Sequence, residues 1–147
     1  MVYIDEMNRR ILRLLVADGK MTYIEVAERM RRSPSTIRDR IRRLEQEKAI
    51  IGYVAIVNAE RLGMTVEGIL LANLEEGVSA DKLKGLAKMP GVLEVLQVSG
   101  RRRILVRLSA PDNHALEETI ERDLVPYGLK DIELRIVLER VMRFPGV

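Results

Sequence analysis

The residues best placed to do chemistry in this sequence are arginines. Seven of them lie between Arg29 and Arg43, where Asp39 is the only acidic residue. Guanidinium groups form bidentate hydrogen bonds with phosphate and with the edge of guanine, and a local charge of +6 attracts polyanions. This stretch therefore predicts double-stranded DNA as a partner.

The arginines accompany a predicted helix from Ser33 to Lys48. Ser33 suits the N-cap, and Pro34 suits the first helical position, which needs no N–H. Apolar residues at helical spacing predict the buried face: Ile37, Ile41 and Leu44. The candidate DNA-binding residues occupy the opposite face, the start of the helix and the turn before it: Ser33, Pro34, Ser35, Thr36, Arg38, Asp39, Arg42, Arg43, Arg31 and Arg32.

Two kinds of DNA contact are expected within this set. We predict base-edge contacts for Arg38 and Arg42, and phosphate contacts for Arg31, Arg32 and Arg43. A run of charge is often only a solvated helix face. Here short polar side chains stand at the helix N-terminus, where backbone N–H groups meet phosphate, and this combination favours DNA reading.

Two further helices are predicted before this one. Asp5 suits the N-cap of a helix that runs to about Ala17 with Asn8 turned outward, and Thr22 with Glu25 has the spacing of a capping box. The second helix is expected to turn its apolar residues inward: Ile24, Val26, Ala27 and Met30. A short helix, a tight turn and a longer polar-faced helix predict a (winged) helix-turn-helix DNA-binding domain over residues 1–52.

The rest of the chain has a different pattern. Residues 53–64 are expected to be an extended β linker, and residues 65–147 predict an effector-binding and oligomerisation domain with the order strand, helix, strand, strand, helix, strand. The expected strands are 66–74, 92–99, 103–108 and 132–138; the first helix starts at Ser79 with Leu83, Leu86 and Ala87 inward, and the second starts at Asp112. The βαββαβ order predicts an α+β, ferredoxin-like domain with both helices on one face of an antiparallel sheet.

The predicted sheet is apolar on both faces. Residues 69–72 read Ile-Leu-Leu-Ala, although a face that meets water should carry alternating polar residues. A second copy of the chain is the expected cover, so a homodimer is predicted, with either Leu70 or Leu71 pointing into the interface.

Composition excludes several other classes. The chain has no Cys, which excludes disulfides, thiolate metal sites and Cys nucleophiles, and its single His is His114. We predict no catalytic residue, no metal and no cofactor. Without a long apolar run or a secretory signal, we expect no membrane partner and a cytoplasmic location. Abundant Glu, Lys and Arg is also typical of thermophile proteins.

The sequence resembles the Lrp/AsnC (leucine-responsive/asparagine-responsive, feast/famine) regulators of bacteria and archaea. The residues that carry the resemblance are Asp5, Asn8, Arg9, Ile11, Leu12, Leu14 and Leu15, then 17–20, 25–27, 33–37, 42–45, 50–53, 90–92, 94–95, 98–100 and 136–138. The resemblance implies a dimer that associates further, often into an octamer. It also implies amino-acid effectors bound between subunits near the glycine of the hairpin between the second and third strands. The corresponding residues here are Ser99, Gly100, Arg101 and Arg103.

One departure from the family concerns this hairpin. Such proteins commonly carry an acidic residue three positions after the glycine, where this chain has Arg103. The usual partner of an amino-acid ammonium group is therefore missing. We expect either an anionic effector, or a basic hairpin that is only solvated.

Two other functions remain open at this point. An architectural, nucleoid-type protein that compacts DNA with little base preference would also carry an arginine-rich helix, since phosphate neutralisation dominates affinity in both cases. Siroheme decarboxylases share the two-part architecture, but that reaction needs a proton donor. His114, at the start of an outer helix, is a poor candidate for that role.

Overall fold

The computed structural model describes residues 4–141 of the 147-residue chain. They form two compact units that divide between Ile56 and Val57, with Val141 grouped with the first unit. The domain borders expected after residues 52 and 64 lie on either side of this division. The ends of the two predicted domains, residues 1–3 and 142–147, lie outside the described residues.

The first unit consists of three helices: α1 (Glu6–Ala17), α2 (Tyr23–Met30) and α3 (Pro34–Gln46). Asp5 Oδ1 and Ser33 Oγ cap α1 and α3 by accepting the backbone N–H three residues later, at 2.7 and 3.2 Å. Thr22 and Glu25 form a complete capping box at the start of α2. The predicted helix starts are therefore confirmed.

One apolar core joins the three helices. Its buried members are Ile11, Leu15, Val26, Ala27, Met30, Ile37 and Leu44. Two sequence predictions for this unit are wrong. Asn8 is only 5% exposed, because it lies three residues before Ile11 and therefore on the same helix face. Ile24 is 47% exposed, because it is about 200° around the helix from the buried Val26.

Residues 51–58 belong to no helix or sheet strand, and a short 3-10 turn follows at Ala59–Leu62. The second unit then contains β1 (Val66–Leu74), a 3-10 turn (Ala80–Lys82) that leads into α4 (Leu83–Leu86), β2 (Val92–Gln97), β3 (Ile104–Ala110), α5 (Asn113–Thr119) with a π-helical turn (Ile120–Leu124), and β4 (Leu129–Ile136).

The four strands form one antiparallel sheet in the order β2-β3-β1-β4. This order confirms the ferredoxin-like α+β fold. Leu83 and Leu86 are buried as predicted, but Ala87 is exposed because α4 ends at Leu86. The connection between β2 and β3 is also longer than expected, because β2 ends at Gln97 and β3 begins only at Ile104.

β4 begins three residues earlier than predicted and contains one extra residue. Asn73 pairs with Lys130, whereas Leu71 pairs with Glu133, so the register shifts by one between these pairs. Asp131, within the shift, has a φ of 55°, in the left-handed region. Because the bulge interrupts the alternation of inward and outward residues, the sequence pattern does not show that the strand begins at Leu129.

The alternation of β1 separates the two faces of the sheet. Leu70 is fully buried against the helices, whereas its neighbour Leu71 lies half-buried on the other face. Leu71 pairs with Leu105, and Leu105 pairs with Leu96, so three leucines form a row on the open face. Of the two candidate interface residues, Leu71 is therefore the one that points outward.

Candidate DNA interface and effector hairpin

The outward face of α3 is open along its length. Every candidate DNA-binding residue from Arg31 to Arg43 is exposed, in contrast to Ile37 and Leu44 on the buried face. Arg42 and Arg43 form no ion pair within the described residues, and Arg38 reaches Asp39 only at 3.5 Å. The arginine side chains on this face are therefore available to an external anion.

The turn between α2 and α3 has a fixed backbone. Arg31 adopts a left-handed conformation with a φ of 53°. The N–H of Arg31 donates to the Glu28 carbonyl at 3.2 Å, and the N–H of Arg32 donates to the Ala27 carbonyl at 3.0 Å. Because the backbone groups are used inside the turn, the two side chains are the parts left to contact a ligand.

The first turn of α3 combines hydroxyl groups with a free helix end. Ser33 Oγ lies 2.7 Å from Thr36 Oγ1 and 3.2 Å from Ser35 Oγ, besides accepting the Thr36 N–H. Pro34 has no N–H. The N–H of Ser35 is thus the first-turn donor that the cap leaves open, and it points along the helix dipole toward any bound phosphate.

One arginine of α3 does not belong to this face. Arg40 Nη1 donates to Asp5 Oδ2 at 2.6 Å and to Asn8 Oδ1 at 3.0 Å, and both ionised side chains are 32% exposed. The Asn8 N–H and the Arg40 guanidinium hold the pKa of Asp5 below its usual value. The seven arginines counted between Arg29 and Arg43 in the sequence include Arg40. Its position three residues after Ile37 was the signal that it faces inward.

Tyr53 ties the segment after α3 back to that helix. Its hydroxyl donates to Glu45 Oε1 at 2.9 Å, and its ring lies beside Gly19. Partial burial, together with the Glu45 carboxylate, raises the pKa of Tyr53 to about 12. The sequence places Tyr53 at the start of the predicted linker and does not indicate this contact. The contact depends on how the chain turns after α3, which its residue pattern does not specify.

The hairpin between β2 and β3 separates its three arginines. Gly100 has a φ of 108°, and the Val98 N–H donates to the Arg103 carbonyl at 2.7 Å to close the loop. Arg102 turns toward β4, where Nε donates to the Asp131 carbonyl at 2.7 Å and Nη1 lies 2.5 Å from Glu133 Oε2. Arg102 is therefore held within the sheet.

The side chains of Arg101 and Arg103 remain exposed, and neither forms an ion pair within residues 4–141. The Arg103 backbone is fixed nonetheless, because its N–H donates to Asn73 Oδ1 at 3.2 Å. Ser99 is exposed beside them. The loop thus presents two free guanidinium groups on an anchored backbone. It brings together the four predicted effector residues, which are consecutive apart from Arg102.

A helix-turn-helix unit with an open basic face, followed by a ferredoxin-like unit with a basic hairpin, defines a two-domain DNA-binding regulator. A family model described as winged helix-turn-helix DNA-binding matches residues 4–51, and one described as the Lrp/AsnC ligand binding domain matches residues 69–147. The chain belongs to the Lrp/AsnC family and is a DNA-binding transcriptional regulator of that type.

Individual relatives agree with this assignment. An uncharacterized HTH-type transcriptional regulator of Pyrococcus horikoshii is 31% identical over 137 residues, which cover 92% of this chain and 87% of the relative. The leucine-responsive regulatory protein of Klebsiella pneumoniae is 28% identical, covering 94% and 87%. A feast or famine regulatory protein from M. tuberculosis, solved in complex with L-methionine, is 25% identical with a TM-score of 0.91 and 99% coverage of both chains.

No helix within residues 4–141 is both long and apolar enough to cross a bilayer. Across that same range, His, Asp and Glu side chains do not gather in groups of three or more that could hold a metal ion.

Proposed function

We propose that this regulator reads its operator by placing α3 in the DNA major groove. The observation that carries the proposal is the exposure of Arg42 and Arg43, which form no ion pair within residues 4–141, opposite the buried Ile37 and Leu44. Arg38 and Arg42, near the middle of the outward face, contact base edges, because arginine pairs bidentately with guanine there.

Phosphate contacts fix the register of this helix. Arg31 and Arg32 lie in the turn before α3, and Arg43 lies in its last turn, so they can reach phosphates on both sides of the groove. Ser35 and Thr36, at the helix start with Ser33 and Pro34, meet a phosphate at the N-terminus. Asp39 lies among the arginines and can accept a hydrogen bond from cytosine.

Selection of bound duplexes from a random DNA pool, followed by footprinting, tests this function. We expect a palindromic consensus, because a two-fold protein binds two half-sites about one or more helical turns apart. Recovery of no consensus would support the architectural alternative, in which the protein neutralises phosphates without reading bases.

We also propose that a second copy covers the open face of the sheet. The row of Leu71, Leu105 and Leu96 supplies an apolar strip on that face. Ion pairs border it: Arg107 with Glu67 at 2.8 Å and with Glu94 at 3.3 Å, and Arg102 with Glu133 at 2.5 Å. A strip of this kind can pair with itself about a two-fold axis. Membership of the family supports further association of dimers, such as an octamer. It also supports a cytoplasmic location, since a regulator must reach the DNA that it binds.

The hairpin is proposed as the effector site. Among the described residues, Arg101 and Arg103 have no ion-pair partner and lie beside Ser99 and Gly100, whereas Arg102 is neutralised by Glu133. Two free cations favour an effector with net negative charge, such as an acidic amino acid or a carboxylate metabolite. The methionine bound by the mycobacterial relative is a neutral amino acid. We therefore propose that this chain prefers an anionic effector over a neutral amino acid such as methionine. We also propose that its activity is DNA binding and not catalysis.

A further inference from the structure

We infer that Arg40 is a positioning residue for DNA reading, which sets the placement of α3 on α1 and does not touch DNA. Its guanidinium joins the middle of α3 to the N-cap of α1 through Asp5 and Asn8, at 2.6 and 3.0 Å. These three residues are called the α1–α3 clamp below. The inference goes beyond the contacts proposed above but rests on α3 being the DNA-reading helix.

The two α1 members of the clamp, Asp5 and Asn8, are both held in place at the start of that helix. Asp5 uses both carboxylate oxygens, because Oδ1 caps α1 at the Asn8 N–H while Oδ2 accepts from Arg40. Asn8 is 5% exposed, and its amide oxygen accepts the second hydrogen bond from the same nitrogen of Arg40. The guanidinium is thus directed by two acceptors on the first turn of α1, and charge-assisted hydrogen bonds of this kind hold a definite geometry.

The apolar contacts of α3 do not fix the rotation and position of this helix in the same way. Ile37 and Leu44 bury fully against the other helices, whereas Ile41 between them is only half-buried. Apolar packing is non-directional, so the helix could rotate or slide by a small amount at low cost. Arg40 lies on the stripe between Ile37 and Leu44 and supplies the directional contact that limits this movement.

Base reading and phosphate binding respond differently to such a movement. A hydrogen bond to a base edge weakens steeply when its distance or angle changes, whereas attraction between a guanidinium and a phosphate falls only slowly with distance. Loss of the clamp should therefore lower affinity for the operator while leaving non-specific affinity nearly unchanged. Because Arg40 is held by Asp5, its charge should contribute nothing to counterion release.

Two substitutions break the clamp from opposite ends. Arg40→Gln removes the guanidinium. Asp5→Asn keeps the N-cap, since Asn also accepts the Asn8 N–H, but it places an amide N–H₂ against the guanidinium in place of Oδ2. The full chain and both variants are measured on the duplex that the wild type selects from a random pool and on a duplex of scrambled sequence, over a series of salt concentrations. All are compared at a temperature where circular dichroism shows each to be folded.

We expect each variant to lose about tenfold in affinity for the selected duplex, with unchanged affinity for the scrambled duplex and an unchanged salt slope. The Asp5→Asn/Arg40→Gln double variant should be no weaker than either single variant, because both remove one link. Arg43→Gln is the matched control. It should weaken binding to both duplexes and flatten the salt slope by about one unit.

Three results would overturn the inference. If Asp5→Asn strengthens binding to both duplexes and steepens the salt slope, Arg40 is a phosphate contact that Asp5 shields. If Arg40→Gln weakens both duplexes equally, its charge acts directly on DNA. If only the unfolding temperature falls, the clamp is purely structural. A null result for Arg43→Gln would instead count against the proposed docking of α3, and the ratio of the two affinities would still decide the role of Arg40.

Discussion

Asn73 and Asp131 bridge the two strands β1 and β4, with Asn73 Nδ2 donating to Asp131 Oδ2 at 3.0 Å. The other end of the same amide accepts the Arg103 N–H at 3.2 Å, so Asn73 connects the bulge of β4 to the hairpin between β2 and β3. Both hydrogen bonds are made by the Asn73 side chain. The position of the hairpin therefore depends on a residue of β1 that lies 30 positions before Arg103 in the chain.

Replacing Asn73 with Leu should loosen the hairpin without unfolding the sheet. The Arg103 N–H loses its acceptor, and each lost hydrogen bond of this type costs about 1 kcal/mol. Hydrogen exchange should show faster exchange of the Arg103 amide with little change at buried Val106 of β3. Equal acceleration at both amides would show that Asn73 supports the whole sheet.

The hairpin arginines should separate into one structural and two binding residues. Arg103→Ala should weaken binding of an acidic amino acid, because a free guanidinium is lost, and the remaining binding should be less sensitive to salt. Calorimetry with acidic and neutral amino acids measures this. Arg102→Ala is the control: its partners are Glu133 and the Asp131 carbonyl, so it should lower stability more than effector affinity.

A hairpin that is merely solvated predicts another result. Calorimetry would then show no Arg103-dependent heat with either class of amino acid, while DNA binding persists without effector. Tight binding of a neutral amino acid that survives Arg103→Ala would contradict an anionic effector and would assign recognition to the backbone around Gly100.

On α3, Arg38→Ala and Arg42→Ala should each cost ~1–3 kcal/mol at the selected operator, because a bidentate base contact is lost. The same changes should relax the preference for guanine at one position of each half-site. Binding to a systematic set of operator variants measures both effects. Unchanged affinity after substitution of Arg31, Arg32, Arg38, Arg42 and Arg43 in turn would refute the assignment of this face.

The two adjacent leucines of β1 provide a matched test of the dimer. Leu71→Glu places a charge on the open face and should dissociate the dimer and weaken operator binding together, because two half-sites are no longer bound at once. Leu70→Glu buries a charge in the core and should instead unfold the second unit. Analytical ultracentrifugation and circular dichroism distinguish these outcomes. A wild type that is monomeric at micromolar concentration would rule out the proposed interface.

The contact between Tyr53 and Glu45 predicts a dependence on alkaline pH. The pKa of Tyr53 is about 12 in the folded chain against an ordinary value of 10.0. A raised pKa means that this contribution to stability is complete below pH 10.0 and is lost as pH rises toward about 12. Denaturation at a series of pH values should therefore show a steeper alkaline decline for the wild type than for Tyr53→Phe. Tyr23→Phe, on the exposed side of α2, is the control and should follow the wild type.

Local signals in the sequence were sufficient for much of this structure. The caps at Asp5, Thr22 and Ser33 and the strand Val66–Leu74 are where the pattern predicts them, because each is specified by residues within a few positions. Asn8 was misassigned because a polar residue on a helix stripe reads as a solvent-facing one, and Arg40 was counted with the other arginines without a contact of its own. Only tertiary contact shows that each is satisfied by the other.

Local signals also predicted the exposed face of α3, but they did not predict how the arginines of the hairpin are divided. The exposed face of α3 follows from helical periodicity, and that periodicity also separates Arg42 from Ile37 and Leu44. The division of the hairpin between bound Arg102 and free Arg103 depends on Glu133 and Asp131, about thirty residues further along the chain. No local pattern carries information about partners at that separation.

The extra residue in β4 does not change which side of that strand faces inward. After Asp131, Ile132 and Leu134 pack against the core while Glu133 opposes Leu71 on the open face. Lys130, before the bulge, lies opposite Asn73 on that same open face, so deleting Asp131 would restore regular pairing without moving any later residue to the other face. The extra residue therefore serves the hairpin rather than the strand, because its carbonyl accepts from Arg102 and its carboxylate accepts from Asn73.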